Sequence, residues 1–301
     1  MRAAPGVGAS RVAASGTAPS PGGWSSVAEW TQVDGQTLEV VRITSTLRAS
    51  GVAVPVDEGA GEAVGESLPT VVFLHEGIGS VSLWRDFPQQ VCERAGLPGL
   101  VYSRHGYGQS SVLTRARTVD YMHHEAQVVL PALLRLCGIA RPILVGHSDG
   151  GSIGLLYAGS GEPIEALAVL APHVFVEPES IAGIEVARDV FARGDLKARL
   201  ARHHRDPEAT FRGWNDIWLS PAFRPWNIES VLPAIRCPLL AIQGEDDNYG
   251  TMRQLEAIGR QTGGPYEELR LGACGHNPHR DQTAATLEAI ARFIGSRVAN
   301  R

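Results

Sequence analysis

Short apolar runs alternate with stretches of helical pattern over most of this chain. The runs are three to five residues long, which is too short for a helix and typical of buried strands. They lie at 71–74, 100–102, 143–145, 166–170 and 239–242, and a last strand is predicted over 266–271. Helices are predicted near 82–95, over 117–137 (interrupted by Pro131 and ended by Gly138) and from 149 to about 158. This alternation predicts a mostly parallel central sheet with helices on both faces.

The alternation stops between residues 177 and 235. That segment is helical in pattern and charged, with aromatic residues clustered late in it, and we interpret it as a helical cap inserted over the strand ends. The core would then comprise 29–176 and 236–301. Residues 1–28 are rich in Ala, Gly, Ser and Pro, which predicts a disordered tail, and 49–67 have the composition of a mobile loop.

Composition narrows the function. The 301 residues are 44% hydrophobic with a net charge of −5, which argues against a nucleic-acid partner. No stretch approaches the roughly 20 apolar residues of a membrane span. The four cysteines show no paired spacing, so we expect reduced thiols in a cytoplasmic protein and no metal site. Nothing suggests an organic cofactor, and the oligomeric state is left open.

One stretch carries a chemical signal, Gly146-His147-Ser148-Asp149-Gly150, which directly follows the apolar run 142–145. A small-residue helix is predicted immediately after it, so the chain must turn sharply between strand and helix. Glycine tolerates the crowding and the unusual dihedral angles of such a turn. This context indicates a nucleophile elbow that exposes the Ser148 hydroxyl.

A serine hydroxyl needs a base to take its proton, and the base needs an orienting carboxylate. Strand 239–242 runs into Gly244-Glu245-Asp246-Asp247, and strand 267–271 runs into Gly272-Ala273-Cys274-Gly275-His276. Both loops leave the carboxyl ends of strands, where ligands bind in such sheets. The chain thus offers an acid and a base at the same sheet edge as the serine.

Together these motifs resemble the α/β-hydrolase superfamily over about residues 69–295, in its capped bacterial branch of esterases and carbon–carbon bond hydrolases. The resemblance implies Ser148 as nucleophile, Asp247 as acid and His276 as base, with Asp246 and His279 as second candidates. It places the two oxyanion donors on the backbone N–H groups of Gly77 and Asp149.

The resemblance also suggests residues that contact substrate. Glu76 stands where related hydrolases have glycine, and it either faces the substrate or hydrogen-bonds the loop. Arg104 lies in a loop similar to the family's R-G-x-G-x-S loop, and His173 follows a strand at the hinge of the predicted cap. The cap tryptophans complete the set of candidates: Trp214, Trp218 and Trp226.

These observations favour a serine hydrolase, carboxylesterase-like, that cleaves a small carboxylic ester or thioester. The same three residues would serve carbon–carbon bond hydrolysis of the meta-cleavage type, because the fold alone does not separate the two chemistries. A non-catalytic ligand-binding member is the third reading, and the complete Ser, Asp, His set argues against it.

Overall fold

A computed structural model describes residues 12–16, 23–45 and 68–298, and within these residues nine strands form one sheet. The strands are β1 (Val12–Gly16), β2 (Trp24–Val33), β3 (Gln36–Ser45), β4 (Thr70–Leu74), β5 (Gly99–Ser103), β6 (Pro142–His147), β7 (Ala166–Leu170), β8 (Leu239–Gly244) and β9 (Tyr266–Leu271). Their order across the sheet is β1-β2-β3-β5-β4-β6-β7-β8-β9. Strands β4 to β9 pair in parallel, whereas β1, β2 and β3 pair antiparallel.

Helices follow most of the parallel strands. They are α1 (Phe87–Ala95), α2 (Tyr121–His124), α3 (Leu130–Leu136), α4 (Asp149–Gly159), α5 (Pro178–Arg193), α6 (Leu196–Leu200), α7 (Pro207–Leu219), α8 (Arg253–Gln261), α9 (Pro278–Asp281) and α10 (Thr283–Val298). A π-helical turn, Glu125–Val129, joins α2 to α3 just before Pro131. Proline has no backbone N–H, so the regular helical ladder loses a bond there.

Two apolar layers lie on the two faces of the sheet. Successive side chains of a strand point to opposite faces. Accordingly Val72 and Leu74 of β4 belong to one core, while Val71 and Phe73 belong to the other. The predicted mostly parallel α/β architecture with helices on both faces is therefore confirmed.

The N-terminal prediction needs correction. Residues 12–16 and 24–28, which were assigned to a disordered tail, lie in strands β1 and β2. Strand β2 pairs with β3 from Trp24↔Ser45 to Val33↔Gln36, so backbone hydrogen bonds stabilise a sequence that has no apolar run of its own. Residues 1–11 and 17–22, and the predicted loop at 49–67, lie outside the described residues.

Residues 177–235, the inserted segment, leave the sheet after β7 and return to it before β8. They contain α5, α6 and α7, followed by 3₁₀ turns at Pro221–Phe223 and Glu229–Ala234. An antiparallel bridge between Phe175 and Asn227 joins the two ends of the segment. Inside it, the Phe191 and Phe211 rings stack with centroids 3.9 Å apart. The segment thus has a small aromatic core of its own.

Candidate active site

Ser148 lies at the sharp turn between β6 and α4. Its backbone angles, φ 52° and ψ −118°, fall in a region that non-glycine residues rarely adopt. Glycine is required on both sides, because a Cβ on Gly146 would lie 2.3 Å from the Gly150 carbonyl oxygen. A Cβ on Gly150 would lie 2.0 Å from the Leu74 carbonyl oxygen. The surrounding strands hold the turn, and the Ser148 N–H donates to Leu170 O at 2.9 Å.

The structure brings Ser148, His276 and Asp247 together. The Nε2 atom of His276 lies 2.9 Å from Ser148 Oγ, and its Nδ1 atom lies 2.9 Å from both carboxylate oxygens of Asp247. All three side chains are largely buried, with Ser148 7% and His276 9% exposed. The imidazole can therefore accept the serine proton while Nδ1–H donates to the carboxylate.

Asp247 is held in its ionised form. Burial by itself would raise the pKa of this carboxyl, but the charge and hydrogen bond of His276 and the backbone N–H of Tyr249 bring the pKa below its usual value. The second candidates lie elsewhere. Asp246 is exposed, and the ring of His279 packs against Trp84 and His147 rather than near the serine hydroxyl.

The two predicted oxyanion donors lie beside Ser148. Asp149 is the first residue of α4, so its N–H has no acceptor within the helix. Gly77 lines the same cavity as Ser148. Trp214 of the inserted segment packs directly on this loop, because a Cβ on Gly77 would lie 2.1 Å from the indole Nε1. Glycine at position 77 therefore permits the close contact between the loop and Trp214.

Arg104 supports the oxyanion loop from behind. Its Nη2 atom donates to the carbonyl oxygens of His75 at 3.2 Å and Glu76 at 2.9 Å, and it lies 3.6 Å from the Asp149 carboxylate. The side chain is 1% exposed. Arg104 was expected to contact substrate, but it is not among the residues that line the cavity beside Ser148.

A hydrogen-bonded chain links the elbow to the inserted segment. The indole N–H of Trp218 donates to Tyr121 Oη at 3.1 Å, and the tyrosine hydroxyl donates to Asp149 Oδ2 at 2.7 Å. All three groups are buried. The side chain of Asp149 therefore has a structural role.

A cavity of about 180 Å³ opens beside the Ser148 hydroxyl. It is lined by Glu76, Gly77, Ile78, Ser148, His173, Ser180, Ile184, Trp214, Trp218, Tyr249, His276, Asn277 and Arg280. Two larger cavities, of about 500 and 420 Å³, adjoin residues 113–117 and do not contact Ser148.

Most of the candidate substrate contacts line the cavity, but Trp226 does not. Trp226 stacks on Phe223 with ring centroids 5.3 Å apart and packs on Trp218, so it belongs to the core of the inserted segment. Trp214 and Trp218 face the cavity instead. Trp214 and Trp218 are four residues apart on α7, so helical spacing puts them on the same face. Trp226 lies after α7, where the sequence pattern does not predict the direction of the side chain.

His173 forms part of the cavity wall as a neutral imidazole. It is 3% exposed, and its ring packs edge-on against Trp218 at 5.1 Å. Burial, aided by the nearby His276, lowers the pKa of His173 to about 3. The residue is uncharged near neutrality and is therefore suited to a ligand-facing surface of low charge.

Glu76 points into the space between the cavity and His147. Its Oε2 lies 3.6 Å from His147 Nδ1, and the Nε2–H of His147 donates to the carbonyl oxygen of His276 at 2.7 Å. Burial works to raise the pKa of Glu76, but the neighbouring His147 and Arg280 hold it well below the usual range. Glu76 is thus an ionised cavity residue and also a link, through His147, between the oxyanion loop and the His276 loop.

Sequence reasoning missed several residues of the wall. Tyr249 and Asn277 lie within two positions of Asp247 and His276, so proximity to the acid and base loops was an available signal. The Tyr249 ring lies 4.7 Å from the His276 ring. Ser180 and Ile184 share one face of α5 at helical spacing. Arg280 had no such signal, because its place depends on how α9 packs.

The model of the alpha/beta hydrolase family matches residues 71–289, which is more than two thirds of the chain. The protein therefore belongs to the alpha/beta hydrolase family and is a hydrolase by class. The match includes the elbow and both loops that carry the acid and the base.

Solved structures agree on the fold. An esterase from Thermogutta terrifontis is 20% identical with a TM-score of 0.59, covering 96% of this chain and 99% of the esterase. The enol-lactonase from Burkholderia xenovorans is 19% identical with a TM-score of 0.61, covering 88% and 99%. A serine hydrolase involved in carbazole degradation is 16% identical with a TM-score of 0.62, covering 89% and 98%. The comparison with curated protein sequences gives no match.

Two kinds of feature are absent from the described residues, a membrane-spanning helix and a metal-binding cluster. Over the residues described, no helix has both the length and the apolar character that a membrane crossing needs. Within the same residues, no cluster of three or more His, Cys, Asp or Glu side chains could hold a metal ion.

Proposed function

We propose that the protein is a serine hydrolase that cleaves a small carboxylic ester or thioester through an acyl-enzyme on Ser148. The carrying observation is the continuous contact from Ser148 Oγ through both nitrogens of His276 to Asp247, each step 2.9 Å long. The serine also lies at a strained turn beside a cavity, the position of a nucleophile that must reach a bound carbonyl.

The geometry supports two half-reactions. Ser148 Oγ attacks the carbonyl carbon as His276 Nε2 takes the hydroxyl proton, and the developing negative charge lies near the N–H groups of Gly77 and Asp149. The C–O or C–S bond then breaks, and His276 returns the proton to the leaving group. Water attacks the acyl-enzyme by the same route, releasing the acid and restoring Ser148.

The cavity limits the acyl group. At about 180 Å³ it is smaller than the roughly 300–1,000 Å³ typical of sites for drug-sized ligands. Its walls are mainly aromatic and aliphatic, with Trp214, Trp218 and Ile184 facing Ser148 across the space. A short acyl group therefore fits the space, and the remainder of a larger substrate would extend through the mouth.

A matched pair of serine variants tests the proposal. Ser148→Ala should reduce hydrolysis of p-nitrophenyl butyrate to background and abolish labelling by a fluorophosphonate. Ser160→Ala makes the same chemical change at the exposed end of the same helix and should leave both unchanged. Equal activity of the Ser148→Ala variant and the wild type would contradict the proposal.

Carbon–carbon bond hydrolysis of an acidic substrate is the second candidate. The observation in its favour is that Arg280 lines the cavity and offers a cation to a substrate carboxylate. The ionised Glu76 in the same wall opposes an anion close to the reacting carbonyl. Turnover of meta-cleavage dienoates at a higher kcat/KM than any ester or thioester would favour this second reaction.

A further inference from the structure

Hydrogen bonds bring three arginine-bearing segments together next to the Ser148 cavity. We name Arg85, Arg202 and Arg280 the arginine rim. Arg280 lines the cavity itself, and all three residues are exposed to solvent. They come from three separate parts of the chain: the turn after Ser82–Trp84, the end of α6 and the short helix α9.

Specific contacts hold these three parts together. The Arg280 guanidinium donates from Nη2 to Leu83 O at 2.8 Å, and Ser82 Oγ lies 2.9 Å from His203 Nδ1. Burial lowers the pKa of His203, and the positive charges of Arg202, Arg280 and Arg85 lower it further. All three charges therefore act on the same imidazole.

Among the described residues, Arg85, Arg202 and Arg280 form no ion pair. In the part of the chain that the structure covers, the arginines found in ion pairs are others, at positions 42, 104, 141, 199, 212, 253 and 270. The charge of Arg280 helps to lower the pKa of Glu76, but the Glu76 carboxylate lies next to His147. A protein of net charge −5 thus presents a local excess of positive charge beside its cavity.

We propose that the substrate is an acyl ester or thioester whose leaving group is an anion carrying phosphate or carboxylate groups, bound by the arginine rim. This inference rests on the proposed function. Because the cavity has room for a short acyl group only, the leaving group must extend out of it, and Arg280 is both part of the cavity wall and exposed to solvent. Guanidinium groups bind phosphate and carboxylate with two parallel hydrogen bonds, which suits this arrangement.

The chemistry of the reaction is unchanged by the rim. Ser148 Oγ forms the new acyl bond, the C–S or C–O bond breaks, and the leaving thiolate or alkoxide takes the proton from His276. Water then supplies the hydroxyl of the released acid. The rim contacts only the remote part of the leaving group, so it should act on KM and kcat/KM rather than on the rate of deacylation.

A series of thioesters with one acyl group isolates the effect. Butyryl N-acetylcysteamine has a neutral leaving group, S-butyryl glutathione has carboxylates, and butyryl-coenzyme A has phosphates. Replacing each rim arginine (Arg85→Gln, Arg202→Gln, Arg280→Gln) should lower kcat/KM for the preferred anionic thioester about two- to fivefold, as for an exposed ion pair. The triple variant should lose at least about tenfold more kcat/KM with the anionic thioester than with the neutral one.

Arg270→Gln removes the same charge at the edge strand β9, in an ion pair with Glu268, and serves as the control. Its kcat/KM should match the wild type for all three thioesters. Raising the salt concentration should reduce the wild-type advantage of the anionic thioester, because exposed charges are screened.

The outcomes separate this inference from the proposed function. If the arginine variants lose kcat/KM equally on all three thioesters, or lose none on any, the role of the arginine rim is refuted. Hydrolysis that depends on Ser148 would be unaffected by that result. If the wild type hydrolyses none of them, calorimetry of coenzyme A and glutathione binding decides. Binding by Ser148→Ala that the triple arginine substitution abolishes would support the rim, and absence of binding would refute it.

Discussion

Acidification should destabilise this protein through histidines that are buried in the neutral form. Burial lowers the pKa of His173 to about 3 and that of His204 to about 4, against 6.5 in the unfolded chain. For His204 the hydrogen bonds show why. Its Nδ1 accepts from the Gly108 N–H at 2.9 Å, and its Nε2–H donates to Ile78 O at 3.1 Å, so a second proton would break the first bond.

The direction and size of this pH effect follow from proton binding by the folded and unfolded states. Below pH 6.5 these two histidines bind protons in the unfolded chain but stay neutral in the folded protein. The free energy of unfolding therefore falls as the pH falls toward the folded-state pKa values. Lowering the pH from about 8 to about 5 should reduce the free energy of unfolding by about 2 kcal/mol for each of the two histidines. Together they would remove about 4 kcal/mol from a total that is typically about 5–15 kcal/mol.

The assay is urea unfolding followed by tryptophan fluorescence at several values between about pH 8 and pH 5. His204→Asn keeps an acceptor for Gly108 but cannot be protonated in this range. At about pH 8 the variant should be less stable than the wild type by about 1 kcal/mol, owing to the lost bond to Ile78. Between about pH 8 and pH 5 the difference should shift by about 2 kcal/mol in favour of the variant, so that the variant becomes the more stable protein by about 1 kcal/mol. A deficit that stays constant with pH would refute the reasoning.

Three site variants give further tests. Asp247→Asn should lower kcat by about 10³–10⁴ with little change in KM, because the amide cannot hold His276 in the required tautomer; a loss below tenfold on p-nitrophenyl butyrate would argue against Asp247 as the orienting group. Gly77→Ala should destabilise the protein by about 1–3 kcal/mol, since the new methyl overlaps the Trp214 indole. Adding Trp214→Ala should recover part of that loss in thermal unfolding, and strict additivity would contradict the contact. Glu76→Gln removes a charge from the cavity wall and should raise kcat/KM for an acidic acyl group relative to its neutral analogue; an unchanged ratio would show that this carboxylate does not face the acyl group.

The sequence predicted which three residues meet at Ser148 better than it predicted the residues around them. Ser148, Asp247 and His276 each follow a strand of the parallel sheet, and parallel strands end at a common edge. Local pattern therefore located all three residues, and the structure places them in contact. Arg104 was predicted from an equally local pattern, but its side chain turns behind the loop, and no pattern of neighbours reveals that direction.

The N-terminal strands show a second limit of prediction from local sequence. Residues 24–28 contain no continuous apolar run, and backbone pairing with β3 joins them to the sheet. Strand pairing joins backbone groups, so it depends on a partner strand being available and not on side-chain hydrophobicity alone.

By itself the sequence determined the chain order of the parallel strands β4 to β9, the glycine-framed turn around Ser148 and the loops that carry Asp247 and His276. These features depend on local periodicity and on backbone conformations that few residues tolerate. The tertiary structure alone decided which side chains face the cavity, so that Trp214 lines it while Trp226 does not. It also brought Arg280 to Leu83 and His203 to Ser82. Such positions depend on packing between segments that are distant in the chain, which no local pattern encodes.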